Sequence, residues 1–251
     1  MKKIIRKIID KIAAIFGYYR TSRQSVYNNK NDLLTIFYNN IIETGFSPKC
    51  IVDVGANTGT WTRTALKFFP TSTYYLIEPQ QQLSKNFEDL LKQNSISFYP
   101  IGLGDKEGKF RFTLVDRDDS CSFRFTEEEA IKNGFEQIDV PVTTLNKLIQ
   151  SKQLLTPDII KIDAEGLDIE VLNGASDFFG VTEVFLIEAS IRNKDFNNTI
   201  QTVINFMDEK GYNIFEITDL NRPWSNKLLW LVEIAFVKKE GIIDSYNFVN
   251  N

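Results

Sequence analysis

Apolar runs of strand length at residues 50–54, 73–77, 96–101, 158–162 and 183–187 punctuate the chain, and helical patterns separate most of them. Strand, helix and strand in repetition can bury both faces of each strand only as a parallel sheet with right-handed crossovers, so the helices must cover both faces. The expected fold class is therefore α/β, doubly wound. Two further strand patterns, at 213–218 and 230–238, follow a helical stretch at 196–210 and read as a terminal hairpin-like pair. Between the third and fourth strands the alternation breaks. Residues 109–115 and 137–142 are extended and 116–122 are a polar loop, so residues 105–143 are expected to form a β insertion over the top of the sheet, where loops hold substrate contacts. The 251 residues thus divide into a helical extension at 1–45, an α/β domain at 46–240 and a tail at 241–251.

The segment Ile51-Val52-Asp53-Val54-Gly55-Ala56-Asn57-Thr58-Gly59-Thr60-Trp61-Thr62 runs from a strand through a Gly-rich turn into a helix. Backbone N–H groups at such a helix start face the crevice beyond the strand's carboxyl end, and Gly55 and Gly59 let a ligand approach the backbone. The dinucleotide fingerprint G-x-G-x-x-G is not met, because Asn57 and Thr60 occupy its second and third glycine positions, which argues against a nicotinamide oxidoreductase. The next strand ends in Ile77-Glu78-Pro79, where an acidic side chain can accept from both ribose hydroxyls of a nucleoside cofactor. Asp53, before the turn, is placed to orient the ammonium of an amino-acid moiety. Trp61 is expected to pack beside the cofactor.

A second group of carboxylates follows the strand Asp158-Ile159-Ile160-Lys161-Ile162. Asp163 should emerge at its carboxyl edge, and Glu165 sits in the loop before a helix that starts near Leu167 and closes at Gly174. Both can face the crevice, or they can cap the helix and complement its dipole. Asp163 and Glu188, read as the ends of neighbouring strands, would make an oxygen site for Mg²⁺ or Ca²⁺.

Composition excludes several chemistries. The sequence contains no histidine, so neither a His general base nor a His metal ligand is available. The net charge of −4 argues against nucleic acid as a partner. Cys50 and Cys121 give neither a metal spacing nor a disulfide framework and read as free thiols of a cytoplasmic protein. The first 23 residues are the exception in charge: seven cations against Asp10 give +6, leaving −10 for the rest. Within them, Ile4, Ile5, Ile8, Ile9, Ile12, Ala13 and Phe16 line one face of a basic amphipathic helix at 2–16. Arg6, Lys7, Asp10 and Lys11 interrupt it too often for a membrane span or signal peptide. Its stripe suits either the domain body or a partner subunit of a homo-oligomer, or else an anionic surface at the inner face of a membrane.

The chain resembles the FkbM-type methyltransferases within the class I, S-adenosylmethionine-dependent superfamily. The resemblance rests on Val52-Asp53-Val54-Gly55-Ala56-Asn57-Thr58-Gly59, on Glu78-Pro79, on Gly102-Leu103-Gly104-Asp105-Lys106-Glu107-Gly108, and most specifically on Lys161-Ile162-Asp163-Ala164-Glu165-Gly166 with Glu170-Val171-Leu172-Asn173-Gly174-Ala175. It implies a Rossmann-like, seven-stranded, mostly parallel sheet with a reversed last strand and S-adenosylmethionine across its carboxyl edge. By this resemblance Asp53, Gly55, Asn57, Gly59, Thr60 and Glu78 would hold the cofactor, Gly102 and Leu103 would lie beside its adenine, and Asp163 beside its methionine part. The implied reaction is methyl transfer to a hydroxyl, first a sugar of a cell-surface glycan or glycolipid, second a polyketide or peptide natural product. Asp163 or Glu165 would take the acceptor proton, or a bound divalent ion would lower the hydroxyl's pKa. A non-catalytic adaptor that keeps the fold and docks through residues 2–16 is the remaining alternative.

Liposome co-sedimentation separates the two uses of the basic helix. Loss of vesicle binding on deleting residues 2–16 assigns it to the membrane surface, and unchanged partitioning assigns it to protein.

Overall fold

The computed structural model describes residues 32–93, 95–115, 121–192, 198–223 and 228–248. The basic helix at 2–16 and the loop residues Arg117, Asp118, Asp119 and Ser120 lie outside the described residues. In chain order the elements are α1 (Asp32–Glu43), β1 (Cys50–Val54), α2 (Thr60–Phe68), β2 (Thr73–Ile77), a 3₁₀ segment (Gln81–Phe87), β3 (Ile96–Tyr99), β4 (Gly102–Leu103), β5 (Gly108–Leu114), α3 (Glu127–Asn133) and β6 (Glu136–Thr143). They continue with α4 (Leu145–Lys152), β7 (Ile159–Ile162), α5 (Asp168–Asn173), β8 (Val184–Ser190), α6 (Ile200–Glu209), β9 (Tyr212–Asn221) and β10 (Leu231–Lys238).

Seven strands form one sheet in the order β3-β2-β1-β7-β8-β10-β9. Neighbours pair in parallel except β10, which runs antiparallel to both β8 and β9. The reversed last strand is thus inserted between β8 and β9. Strand alternation divides the core in two. Val52, Val54, Ile160, Ile162, Phe185 and Ile187 point to the face covered by α4, α5 and α6, where Leu145, Leu172 and Met207 are buried. Ile51, Leu76, Ile159, Val184 and Leu186 point to the opposite face, under Phe37, Tyr38 and Ile41 of α1 and Ala65 of α2. Since those three α1 side chains have no exposure, α1 is part of the body's core rather than a separate extension. The tail also packs back: Ile243 is fully buried and its N–H donates to Glu183 Oε1 at 3.1 Å.

Several expected boundaries move. The third strand ends at Tyr99, and Gly102–Leu103 joins a separate three-stranded sheet of order β4-β6-β5. Asp158 lies just before β7, where its Oδ2 accepts from the N–H groups of Lys49 and Cys50 at 2.6 and 3.0 Å. The strand expected at 183–187 extends to Ser190, because antiparallel β10 continues the ladder past the parallel neighbour. Glu188 is therefore mid-strand, opposite Glu233, and not at a strand end. The long helix begins at Ile200 with Thr199 as its cap, the hydroxyl accepting from Thr202 N–H. The insertion adds α3, closed by a capping box between Thr126 and Glu129 that its sequence spacing could have revealed.

Two of the sequence motifs meet in the packing. A Cβ at Gly174, which follows α5, would overlap the carbonyl oxygen of Gly104, just beyond β4. Gly174 has an ordinary helical backbone, so only space demands glycine. Gly174→Ala is expected to lower stability by about 2–3 kcal/mol in denaturant titration, since the backbones must separate to admit the methyl.

Candidate active site

β1 and β7 are parallel neighbours, with Val54 beside Ile162, so the chain leaves both strands at the same edge. Gly55 follows β1 with φ +73°, and a Cβ there would overlap the carbonyl oxygen of Asp163. The two backbones touch only because residue 55 is glycine. Asp163 N–H donates to Val54 O at 3.1 Å, and Gly55 N–H donates to Ile77 O at 2.9 Å, which ties the turn to β2.

A cleft of about 620 Å³, counted with its open mouth, lies at this edge. Of the sequence-predicted residues, Gly55, Asn57, Glu78, Gly102, Leu103, Asp163 and Glu165 line it. Glu78, only 4% exposed, is held by two backbone donors: Asn57 N–H to Oε2 and Gln80 N–H to Oε1, both at 3.0 Å. Burial raises its pKa from the ordinary carboxylate value, and those two hydrogen bonds oppose the rise. The Gln80 side chain is a third donor, and with about four acceptor sites the carboxylate keeps acceptor capacity toward the cleft. Asn57 takes a left-handed φ of +46°, a conformation asparagine tolerates better than most residues. Glu165 has φ +51° and Gly166 φ +96°, a loop conformation with a strain cost of order 1 kcal/mol at the glutamate.

Four of the named residues lie elsewhere. Asp53 has no exposure and does not line the cleft: its Oδ2 accepts from Thr62 Oγ1 at 2.5 Å and its Oδ1 lies 3.5 Å from Lys161 Nζ. Its carboxylate faces an ammonium of the protein itself. Gly59 is the left-handed residue before α2, and its bare Cα faces Leu90 and Phe87. Thr60 opens α2 and its hydroxyl pairs with Thr58 Oγ1 at 3.2 Å. Trp61 turns towards α1, its ring 6.1 Å from Tyr38, instead of towards the cleft. Asp163 and Glu188 follow the paired Ile162 and Ile187 and are charge neighbours, but among the described residues no group of three or more His, Cys, Asp or Glu side chains is arranged to hold a metal ion.

Sequence reasoning missed two groups. Asp168, fully buried, accepts from Ala164 N–H at 2.9 Å, Gly166 N–H at 3.2 Å and Asn198 Nδ2 at 2.6 Å, so it shapes the loop that presents Asp163 and Glu165. The helix-capping task considered for Asp163 and Glu165 is not taken by either: the cap position is Leu167, which makes no side-chain hydrogen bond. Burial pushes Asp168 up to about 7, against its backbone hydrogen bonds. Phe112, Cys121 and Phe123 of the insertion form the wall facing Gly102, where a Cβ would lie 2.7 Å from Phe123 Cζ. Cys121 is buried there rather than in a solvated loop. Glu188 is raised well above its ordinary value by burial and by Asp163, Glu165 and Asp168.

The model of the FkbM methyltransferase domain matches residues 53–214, well over half of the sequence. The chain belongs to the FkbM methyltransferase family. The matched span runs from Asp53 to Ile214, and so takes in the methyltransferase's Gly-rich turn, Glu78, the insertion and the Asp163 loop. No curated protein matches the chain. Among solved structures it is similar to precorrin-6y C5,15-methyltransferase from Geobacter metallireducens GS-15, with 12% identity over 82% of this chain and 88% of that one, at a TM-score of 0.44. It is also similar to N-methyltransferase NodS from Bradyrhizobium japonicum WM9, with 10% identity over 84% and 99% at a TM-score of 0.46. A third is 1,6-didemethyltoxoflavin-N1-methyltransferase from Burkholderia thailandensis with bound 1,6-didemethyltoxoflavin and S-adenosylhomocysteine, with 9% identity over 86% and 82% at a TM-score of 0.45. No described helix of the methyltransferase is long and apolar enough to cross a membrane.

Glu233 supplies a pH test of the buried polar layer behind the cleft. Burial pushes it up to about 7, while Lys161 and the Thr218 hydroxyl, 2.6 Å away, oppose the rise. The folded state therefore holds this proton longer than the unfolded chain, and stability falls as pH rises from about 4.5 to about 7, then levels. Glu233→Gln removes that titration. The decline in unfolding free energy across this window should be shallower in the variant by about 1–3 kcal/mol.

Proposed function

We propose that the chain is an S-adenosylmethionine-dependent O-methyltransferase acting on a hydroxyl, with a sugar of a cell-surface glycan or glycolipid as its acceptor. The observation that carries the cofactor is the pairing, in one cleft, of the bare Gly55 backbone with the Glu78 carboxylate held open by Asn57 and Gln80. A Cβ at residue 55 would fill the space between the strand ends, and Glu78 keeps acceptor capacity for a ribose diol. When bound, S-adenosylmethionine supplies a methyl group already activated on a sulfonium.

The protein's own task is then to align the acceptor oxygen and remove its proton. Asp163 and Glu165 line the cleft on the far side of Gly55, and either carboxylate is the base in this reading. Gly102, Leu103, Phe112 and Phe123 give an apolar wall suited to the adenine. A divalent cation has no part in the reading. The sugar acceptor rests on the family resemblance and on the basic helix at 2–16, which suits a lipid-linked acceptor at a membrane surface.

Calorimetric titration is the test. S-adenosylhomocysteine should bind, NAD should not, and Glu78→Ala should weaken the former at least about tenfold, or about 1.4 kcal/mol. Folded wild-type protein that ignores S-adenosylhomocysteine would remove the proposal and favour an adaptor. In turnover, the variant lacking the base, Asp163→Asn or Glu165→Gln, should lose about 100- to 10,000-fold in kcat. Full activity in both variants would reject a carboxylate base at these positions.

A further inference from the structure

We infer that Lys161 is a positioning residue for the cleft: its buried ammonium clamps the Gly55 turn after β1 to the Asp163 loop after β7 and fixes the Asp163 carboxylate between them. The inference rests on the cofactor reading above, and its test has a readout that does not.

Lys161 interrupts an otherwise aliphatic strand, Ile159-Ile160-Lys161-Ile162, and is only 4% exposed. An ammonium removed from water costs free energy unless its donors and its charge are met, so an aliphatic residue would be the cheaper occupant of this position. Its partners are specific to the cleft. Nζ donates to Gly55 O at 3.2 Å, to Val54 O at 3.4 Å and to Asp163 Oδ2 at 3.2 Å, and lies 3.5 Å from Asp53 Oδ1. The two carbonyls are the last of β1 and the first of the turn, and Asp163 is the residue whose carbonyl oxygen touches Gly55. One cation therefore spans both segments that form the floor of the cleft.

Charge from every neighbouring strand converges on the same ammonium. Asp53 comes from β1 and Asp163 from the end of β7, with Glu233 on β10, Glu188 on β8 and Glu78 after β2 also interacting with it. Burial alone would lower the pKa of Lys161, but Asp163, Asp53 and Glu233 overcome it and hold the group charged above the ordinary lysine range. Lys161 lies behind the cleft wall rather than in it, so it acts through Gly55 and Asp163 and not on a ligand.

The test compares wild type with Lys161→Met, which keeps the stem and removes the ammonium, and with Lys161→Met combined with Asp53→Asn, which also removes one buried negative charge. S-adenosylhomocysteine affinity and amide hydrogen exchange are measured on each protein that circular dichroism shows to be folded. The expected result is at least a tenfold loss of affinity, with faster exchange at residues 55–57 and 163–166 and unchanged protection at 185–187 and 234–236. Affinity within twofold of wild type, or exchange altered evenly across the sheet, would overturn the clamp. Failure of both variants to fold would also overturn it, because the ammonium would then belong to the fold as a whole. If wild type does not bind S-adenosylhomocysteine, the cofactor reading fails alone, and the local or even pattern of exchange still decides the role of Lys161.

Discussion

Everything at the cleft depends on two parallel strand ends lying closer than side chains permit. β1 and β7 deliver Val54 and Ile162 side by side, and the next residues, Gly55 and Asp163, touch through their backbones. A methyl group between them would push the Gly-rich turn away from the acidic loop. The left-handed conformation of Gly55 is the second demand at the same atom, so steric and dihedral constraints select one residue. From this contact the turn reaches Ile77 and Glu78 on one side, and the loop presents Asp163 and Glu165 on the other.

That contact is supported from below by an unusual buried layer. Asp53, Lys161, Glu188 and Glu233 lie on successive strands on the face that α1 covers. Polar groups there would weaken an ordinary core; here the one ammonium stands among several carboxylates, Thr62 donates to Asp53, and Thr218 donates to Glu233. α1 seals it from water with Tyr38, whose phenol pKa is raised well above its usual value first by burial and then by Glu233, Tyr74 and Asp53. Such a layer contributes geometry more than stability, because desolvation offsets much of the Coulombic gain.

The described part of the insertion brings apolar groups to the cleft. Its polar stretch invites a reading as an acceptor loop, but the described residues that reach the cleft are Phe112, Cys121 and Phe123. They pack as a small satellite core, with the Phe112 and Phe123 rings 4.7 Å apart, against the bare Cα of Gly102. A three-stranded sheet holding these rings closes the side of the cleft beside Leu103, where an apolar ring would be received.

The sequence by itself determined the architecture, because continuous apolar runs of strand length alternating with amphipathic stretches leave a parallel sheet as the only way to bury both strand faces. It also marked Gly55, Glu78, Asp163 and Glu165, since each stands just beyond a strand and strand ends in such sheets converge on one crevice, while Asn57, Gly102 and Leu103 were implied by the family resemblance. Only the tertiary structure decided which acidic residues face the cleft. Asp53 looks ligand-directed in sequence, but its side chain alternates inward under α2 and meets Thr62 and Lys161. Glu188 looks like a strand end until the antiparallel β10, distant in sequence, extends the ladder beyond it. Asp168 looks like an ordinary first-turn acid until its three donors, one from Asn198, show that it holds the loop. Such partners are fixed by contacts between strands and helices far apart in the chain, which local periodicity does not encode.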